Sequence, residues 1–450
     1  MSEAFDPPRY RPITLRNYLD LPQVQELSKD QRFAIEVVGN VLPFRTNSYI
    51  VDQVIKWDNV PNDPIFVLNF PQAEMLQPQH FEEMASVLTD GSSKQEIAET
   101  ANRIRWQLNP HPAGQMAHNV PIFDGEVLHG MQHKYRETVL FFPSQGQTCH
   151  AYCTFCFRWA QFVGIDDLKF ASREAEMLSQ YIRSKPDATD ILFTGGDPLI
   201  MRTKNIAAYI EPLLDIPHLR NIRIGSKALA YWPYRFLTDP DAQDLIDLFK
   251  KVAERGKHLA LMAHYNHPNE MKSEAAKAAV QRVRKTGAEI RGQSPLLRHI
   301  NDDPDVWAEL WREQVKQGCI PYYMFVARDT GAQHYFAVPL VEAWDIFRKA
   351  YNQVSGLGRT VRGPSMSCDP GKVEVEGVSE IHGEKVLVLK AIQGRNPAWV
   401  GKPFYAKYND KAIWLDDLKP AFGEEKFFFE DELDEMYEQD EKLIKELAPA

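Results

Sequence analysis

Six short runs of strand-forming residues recur between residues 138 and 326, and helix-like stretches separate them. The runs occupy residues 138–142, 191–194, 221–225, 258–263, 289–293 and 320–326. Stretches 172–184 and 242–254 between them carry apolar residues at helical spacing. Strands that alternate with helices in this way predict parallel βα units. We therefore predict an α/β fold built on a partial (β/α)6 barrel, with its chemistry at the C-terminal ends of the strands.

The two flanks of this repeat have different patterns. Residues 1–115 combine proline-punctuated loops with helix-like segments, which predicts an N-terminal helical region before a barrel over 116–372. Alternating runs at 373–378, 385–389 and 403–406 predict a small C-terminal β extension over 373–422. Residues 423–450 form an acidic tail, which we expect to be a solvated helix or a disordered end.

The charge of the chain limits the partners that it can have. The 450 residues carry a formal net charge of −10, and residues 424–446 hold eleven acidic side chains against three basic ones. The remainder shows no basic face, which argues against a nucleic-acid partner. No apolar run approaches the ~20 residues of a membrane span, and the first residues lack a secretory pattern. With only five cysteines, we expect a cytoplasmic protein in a reducing compartment.

Three of the five cysteines lie within eight residues, directly after the first predicted strand. Cys149, Cys153 and Cys156 have the spacing Cys-x3-Cys-x2-Cys. A short loop of this kind can turn three thiolates toward one soft metal centre. A structural zinc would need four ligands, usually from two separated cysteine pairs, and the sequence has no second pair. The pattern favours a cluster with one open coordination position, and three inert packing cysteines are the plain alternative.

A glycine pair follows the second predicted strand, in the segment Thr194-Gly195-Gly196-Asp197-Pro198. Paired glycines let the backbone approach a ligand closely because no side chain intervenes. The same five residues also suit an ordinary turn. One strand away from the cysteine loop, the segment indicates a ligand-binding edge.

Together the two motifs resemble those of the radical S-adenosylmethionine (SAM) enzymes. The resemblance implies a 4Fe-4S cluster held by the thiolates of Cys149, Cys153 and Cys156, with a fourth iron that chelates SAM. It also implies that the segment containing Gly195, Gly196 and Asp197 holds the methionine end of SAM.

Further segments narrow the resemblance to the lysine 2,3-aminomutase family, over residues 45 to 375. They are the strand-end segments 223–226, 264–270, 293–298 and 321–323, together with 61–65 in the N-terminal region. By this resemblance Ser226, Gln293 and one of two histidines, His264 or His267, line the SAM pocket, and we take His264. Each of these residues alone would also serve as an ordinary core hydrogen bonder.

Members of this family hold pyridoxal 5′-phosphate (PLP) as a Schiff base on a lysine in a glycine-rich turn. The corresponding segment, 367–372, ends in Lys372, and a partly buried turn can lower the pKa of such a lysine. Lys134 and Tyr135 resemble the family's PLP-holding lead-in, whereas Thr138 stands where the family has a second phosphate-binding arginine. The glycine run has shrunk to one glycine, so an exposed turn lysine is the alternative.

The candidate substrate residues depart from the family's pattern for lysine. Arg158 matches the arginine that pairs with the substrate carboxylate, a role that suits a guanidinium. An ungapped alignment puts Arg328 where the family has an aspartate for the distant ammonium, and a one-residue shift would restore Asp329 to that place. A cation there repels lysine and attracts a carboxylate. The family's C-terminal zinc-binding cysteines are absent, since no cysteine follows Cys368.

The resemblance thus implies an isomerase that moves an amino group from the α to the β carbon of an amino acid, here an acidic or polar one. The reduced cluster splits SAM into methionine and a 5′-deoxyadenosyl radical, which takes a hydrogen from the substrate's β carbon. The implied partners are an amino acid substrate and an electron donor such as a flavodoxin or ferredoxin. The sequence does not decide between a monomer and a homo-oligomer. A PLP-independent radical SAM enzyme and a non-enzymatic iron–sulfur protein are the alternatives.

Replacing any one of Cys149, Cys153 and Cys156 with alanine is expected to abolish SAM cleavage, because each is predicted to bind one iron. Cys319→Ala and Cys368→Ala are the matched controls and should keep the cluster. The measurements are iron content and the formation of methionine and 5′-deoxyadenosine under anaerobic, reducing conditions. An active cluster in the Cys153→Ala protein would contradict the assignment.

Overall fold

The N-terminal region is helical, as its sequence predicts. The computed structural model describes residues 8–110, 112, 118–165 and 170–447. Ser93 caps one helix by accepting a hydrogen bond from the N–H of Glu96, whose carboxylate accepts from the N–H of Ser93 in return. The elements of this region are β1 Pro12–Ile13, α1 Pro22–Gln25, α2 Lys29–Val41, β2 Thr46–Asn47, α3 Pro64–Asn69, α4 Pro78–Thr89 and α5 Lys94–Gln107.

Six parallel strands form the barrel, and each coincides with one of the six predicted runs. A short antiparallel lead precedes them: β3 Ile122–Phe123, β4 Glu126–Val127 and β5 Met131–Tyr135. The barrel then runs through β6 Thr138–Phe141, α6 Ala175–Ser184, β7 Asp190–Phe193, α7 Thr203–Ile210, β8 Asn221–Ser226, α8 Ala228–Tyr231, α9 Ala242–Glu254, β9 His258–His264, α10 Glu274–Arg284, β10 Glu289–Leu296, α11 Pro304–Gln317 and β11 Ile320–Val326. The predicted α/β fold with a partial (β/α)6 barrel is confirmed.

Burial on both faces explains why β9 reads as an apolar run. Side chains of β9 are buried continuously from Leu259 to Ala263, as expected of a parallel strand between helices and a filled interior. Helix α9 buries Leu245, Leu248 and Val252 on one face, at the spacing of an amphipathic helix. None of the helices in the described ranges has the length and apolarity needed to cross a bilayer.

A seventh parallel strand joins the barrel to the C-terminal extension. After α12 Gln333–Phe336 and α13 Leu340–Asn352, strand β12 Arg362–Cys368 pairs in parallel with β11. The sequence does not predict this strand, because glycine and proline, here Gly363 and Pro364, are uncommon inside strands. The antiparallel strands β13 Gly371–Ile381, β14 Glu384–Gly394 and β15 Pro403–Lys407 continue the same sheet, whose eleven strands run in order from β5 to β15. Because the first and last of the described strands of this sheet do not pair, the barrel is open. Strand β13 begins at Gly371, so it crosses the boundary predicted between the barrel and the β extension at residues 372 and 373.

The acidic tail is a helix that packs on the β extension. Helix α14 spans Glu430–Leu447 and buries Leu433. Glu432 accepts a hydrogen bond from the indole N–H of Trp399 at 2.8 Å. Tyr437 stacks on His118, with ring centroids 3.9 Å apart. Residues 430–447 of the tail are therefore helical, and this helix is docked on the β extension rather than fully solvated.

Candidate active site

A cavity of about 350 Å³ opens at the C-terminal ends of the barrel strands. Every residue that the sequence singles out for the cluster, SAM, PLP or substrate lines it, whereas the alternatives His267 and Asp329 are not among its lining residues. The lining set contains Lys134, Tyr135, Cys149, Cys153, Cys156, Arg158, Gly195, Gly196, Asp197, Ser226, His264, Gln293, Arg328 and Lys372. The topology thus brings residues from a span of more than two hundred positions to one place.

The cysteine loop follows β6 and is held from outside by the N-terminal region. The N–H of Tyr152 donates to the carbonyl of Arg45 at 2.8 Å, and the N–H of Thr154 donates to the carbonyl of Leu68 at 3.0 Å. The Arg45 guanidinium also donates to the hydroxyl of Thr148 at 2.8 Å. The helical region therefore supports the backbone from which the three thiols reach the cavity.

The three thiols offer a soft donor set to the cavity. Burial raises the pKa of each, that of Cys156 to about 12, because the thiolate is desolvated. Within the described ranges, no three His, Cys, Asp or Glu side chains are gathered closely enough to hold one metal ion. Three thiolates on one loop fit a 4Fe-4S cluster, which spreads its protein ligands over several irons.

The glycine pair allows the loop after β7 to lie directly against the cysteine loop. A Cβ on Gly195, whose φ is +135°, would meet the side chain of Gln147. A Cβ on Gly196 would lie 2.5 Å from the carbonyl oxygen of Thr148, a backbone atom that cannot yield easily. These positions therefore require glycine for the packing of the two loops, before any ligand is considered.

Asp197 is buried and fully hydrogen-bonded within the protein. Its carboxylate accepts from the Ser226 hydroxyl and the N–H of Lys227, both at 2.9 Å, and from the N–H of Leu199 at 2.9 Å. Its own N–H donates to the carbonyl of Thr148 at 2.8 Å. The hydrogen bond between Asp197 and Ser226 thus holds the loop after β7 against the end of β8, at the predicted SAM pocket.

The structure distinguishes the two candidate histidines. The side-chain N–H of Gln293 donates to Nε2 of His264 at 2.9 Å, and burial lowers the pKa of His264 to about 3. His264 is therefore neutral at neutral pH and faces the cavity. His267 instead accepts from the N–H of Asn269 at 3.2 Å and caps a short 3-10 helix. Of the two, His264 is the cavity histidine.

Lys372 lies in strand β13, not in the turn that its sequence predicts. The β12–β13 hairpin closes at Cys368 and Gly371, so Lys372 already pairs with Ser367 in the ladder. Its Nζ lies 4.7 Å from the centroid of the Tyr323 ring. Burial, followed by the charge of Arg223, lowers the pKa of Lys372 to about 7. This cavity lysine is therefore largely available as the free amine just above neutral pH.

The lead-in to β6 brings a second lysine to the same cavity. Lys134 donates from Nζ to the carbonyl of Cys368, and burial together with Arg395 lowers the pKa of Lys134 to about 7. Burial also raises the pKa of its neighbour Tyr135. Thr138 lines the cavity without adding a charge.

Arg158 and Arg328 both lie close to the ring of one aromatic residue. Their guanidinium carbons are 5.2 Å and 5.4 Å from the centroid of the Phe157 ring. Arg158 is 7 % exposed, and its Nε and Nη1 are buried without a hydrogen-bond partner among the described residues. Burial lowers the pKa of Arg158 to about 9. Asp329 lies 3.7 Å from Nε of Arg328 and accepts a hydrogen bond from Asn109 at 3.2 Å.

Four further cavity residues escape sequence reasoning. Lys227 pairs with buried Glu270 at 2.6 Å. The others are Tyr231, Ser367 and Gln393. Ser367 and Gln393 flank Lys372 on neighbouring strands. A signal for Ser367 was available, since a hairpin that closes at Cys368 and Gly371 places it opposite the lysine. Gln393 lies on β14, whose register with β13 shifts at two points, so the sequence gives no comparable signal for it.

A partial (β/α) barrel with a Cys-x3-Cys-x2-Cys loop after its first strand and a glycine pair after its second defines a radical SAM enzyme. No protein-family model matches the chain. It is 34% identical over 412 residues to a protein of Aquifex aeolicus (strain VF5) named "Putative L-lysine 2,3-aminomutase", covering 92% of this chain and 97% of the relative. The chain belongs to the lysine 2,3-aminomutase family of radical SAM enzymes, which confirms the family and the enzyme class expected from the sequence.

Two other comparisons are more partial. The chain is 30% identical over 227 residues to the L-lysine 2,3-aminomutase of Clostridium subterminale, covering 50% of this chain and 51% of that protein. A crystal structure of a radical SAM methyltransferase from Sphaerobacter thermophilus aligns with a TM-score of 0.33 and 14% identity, over 55% of this chain and 68% of the other. A likeness at this level carries no argument, and the fold rests on the strand order described above.

Lys372 is expected to react with acetic anhydride at a rate that is half-maximal near pH 7, because only the free amine is nucleophilic and its pKa is about 7. The rate should reach a plateau above that pH, whereas an ordinary lysine with a pKa of about 10.4 gains reactivity up to about pH 10. Lys134 is the internal comparison, with a pKa also lowered to about 7. Peptide mass spectrometry gives the rate at each site, and a Lys372 rate still rising above about pH 9 would contradict the assignment.

Proposed function

We propose that this enzyme is a radical SAM 2,3-aminomutase that moves the amino group of an acidic or polar α-amino acid from the α to the β carbon, with PLP held on Lys372. The observation that carries the proposal is the charge of the cavity. Among the described residues, six lysine or arginine side chains line it, against a single acidic one, Asp197, in a chain whose net charge is −10. A cavity lined mainly by positive charge attracts negatively charged ligands.

Not all six cations are free to bind a guest. Arg223 pairs with Asp190 at 2.6 Å, and Lys227 pairs with Glu270 at 2.6 Å. The carboxylate of Asp197 is occupied by its own hydrogen bonds. The cations without a close carboxylate partner in the described part of the chain are Lys134, Arg158 and Lys372. Arg328 is partly paired, because Oδ1 of Asp329 lies 3.7 Å from its Nε.

Arg158 suits the α-carboxylate of the substrate. Its guanidinium is held 4.2 Å from the Phe142 ring, so it is fixed by aromatic contacts and retains buried donors with no partner among the residues that the structure describes. A substrate carboxylate can accept hydrogen bonds from two N–H groups of the guanidinium at once. Buried N–H groups without an acceptor cost free energy, so this pairing is favourable.

Arg328 makes the other end of the substrate site cationic. Its position in the cavity lining, with Asp329 turned toward Asn109, supports the ungapped alignment over the shifted one. Two like charges about 4 Å apart repel by about 4 kcal/mol at an effective dielectric constant of about 20. A lysine side chain would meet this repulsion, whereas the carboxylate of glutamate would gain a partner.

PLP fits the residues around Lys372. The lysine presents an amine of lowered pKa beside the rings of Tyr323 and Phe325, at 4.7 and 5.9 Å from their centroids. Lys134 adds a second cation on the same cavity wall for a phosphate, at the position that the family fills with arginine. The aromatic rings suit a flat cofactor, and the lowered pKa suits a reactive amine.

The bound cofactors would supply the 5′-deoxyadenosyl radical and the carrier for the migrating amino group. The chain's own residues bind and orient: Arg158 and Arg328 position the substrate's two ends, and His264 and Gln293 border the SAM pocket. Apolar neighbours such as Leu140, Phe155 and Leu192 restrict water in the cavity. An electron donor of the flavodoxin or ferredoxin type is proposed to reduce the cluster.

Glutamate or a polar amino acid is expected to be turned over at least about a hundredfold better in kcat/KM than lysine, since about 1.4 kcal/mol corresponds to each tenfold step. The assay uses enzyme with reconstituted cluster, PLP, SAM and reductant under anaerobic conditions, and β-amino acid products are measured by mass spectrometry. Arg328→Asp should shift the preference toward lysine, and Asp329→Ala is the neighbouring control with a smaller effect. Robust lysine turnover, lost in Asp329→Ala and kept in Arg328→Ala, would instead establish the shifted alignment.

Enzyme mixed with PLP is expected to become covalently labelled at Lys372 after borohydride reduction, because its amine of lowered pKa lies beside two aromatic rings. The amine of Lys134 instead donates to the carbonyl of Cys368. The label is located by peptide mass spectrometry, and Lys372→Ala should lose it together with the absorbance of the bound cofactor. Lys134→Ala is the control for a general loss of cavity charge and should weaken PLP binding without removing the attachment site. SAM cleavage with no label at Lys372 would favour the PLP-independent alternative.

A further inference from the structure

Tyr231 contacts one of the three cluster cysteines directly. It is the last residue of α8, and its hydroxyl oxygen lies 3.4 Å from Sγ of Cys153. The ammonium of Lys227 sits over the same ring, 4.5 Å from its centroid. Among the described residues, Tyr231 is the side chain whose hydroxyl reaches a thiol of this loop.

The protein holds this tyrosine rigidly. The residue is 2 % exposed, so the side chain is packed within the protein. The side-chain amide of Asn47 donates to the carbonyl of Tyr231 at 2.9 Å and to that of His150, in the cysteine loop, at 3.1 Å. One asparagine therefore fixes the end of α8 and the cysteine loop with respect to each other.

The direction of the hydrogen bond follows from the chemistry of a bound cluster. A cysteine that ligates iron is a thiolate, so its sulfur can only accept a hydrogen bond. A phenol has an ordinary pKa of about 10 and keeps its proton at neutral pH, so the Tyr231 O–H is the donor. Hydrogen bonds to cluster sulfurs are among the factors that set an iron–sulfur reduction potential. A donor favours the reduced cluster because it stabilises the added negative charge.

We propose that Tyr231 is a positioning residue that donates a hydrogen bond to the Cys153 thiolate and thereby raises the reduction potential of the cluster. Tyr231 makes the one-electron reduction that precedes SAM cleavage easier for the electron donor to achieve. The inference rests on the cluster at Cys149, Cys153 and Cys156, but not on PLP or on the identity of the amino acid substrate.

The test compares the midpoint potential of the reconstituted cluster in the unmodified enzyme and in Tyr231→Phe. Electron paramagnetic resonance of the reduced cluster is followed during an anaerobic redox titration, without SAM, PLP or amino acid. Tyr231→Phe is expected to keep its iron content and to shift the midpoint potential to a more negative value. Tyr10→Phe is the matched control, because its hydroxyl donates to the backbone carbonyl of His150 at 2.8 Å rather than to a sulfur. Its potential should stay at that of the unmodified enzyme.

An unchanged potential in Tyr231→Phe at full iron content would overturn the inference and leave the proposed aminomutase activity untouched. An equal negative shift in Tyr10→Phe would overturn it as well, because the effect would then belong to the loop rather than to the sulfur contact. If Tyr231→Phe does not fold, Tyr231→Met, which also lacks a hydroxyl but adapts its shape, should show the same negative shift. Failure of the unmodified protein to take up iron would count against the cluster itself.

Discussion

Asp197 joins the ends of three strands through its carboxylate and its backbone N–H, and the geometry of the cavity depends on it. A buried carboxylate is costly unless hydrogen bonds replace its water, and here Ser226, Lys227 and Leu199 supply them. The N–H of the same residue holds Thr148, which directly precedes Cys149. The cysteine loop, the glycine pair and the end of β8 are therefore fixed with respect to one another by one residue. The two glycines matter because they let this contact form without a steric clash.

Part of the positive charge in the cavity is kept out of water without a carboxylate partner among the described residues, at Lys134, Arg158 and Lys372. Aromatic rings replace part of the missing negative charge, since Arg158 lies over Phe142 and Phe157, Arg328 over Phe157, and Lys372 over Tyr323. The lowered pKa values of Arg158, Lys134 and Lys372 show that the compensation is incomplete. A bound anion would complete it, and its binding would also stabilise the folded chain.

The sequence predicts the six barrel strands because short runs of strand-forming residues alternate along the chain with stretches of helical spacing. It misses β12, where Gly363-Pro364 breaks that pattern, and so places Lys372 in a turn. Motif spacing finds the cavity residues, but it does not choose between neighbours in the chain such as Arg328 and Asp329. That choice depends on how the chain leaves β11. Tyr231 is hidden for another reason: its partner Cys153 lies 78 residues earlier.

The acidic C-terminal helix is linked to the cavity wall through a short chain of contacts. Tyr437 of α14 stacks on His118 and shares a hydrogen bond with Arg395, which also donates to the side chain of Asn119 at 2.7 Å. Asn119 is part of the cavity lining. A bulky fusion partner at the C-terminus that displaced α14 would therefore disturb the cavity wall through Arg395 and Asn119. For this enzyme an affinity handle belongs at the other terminus.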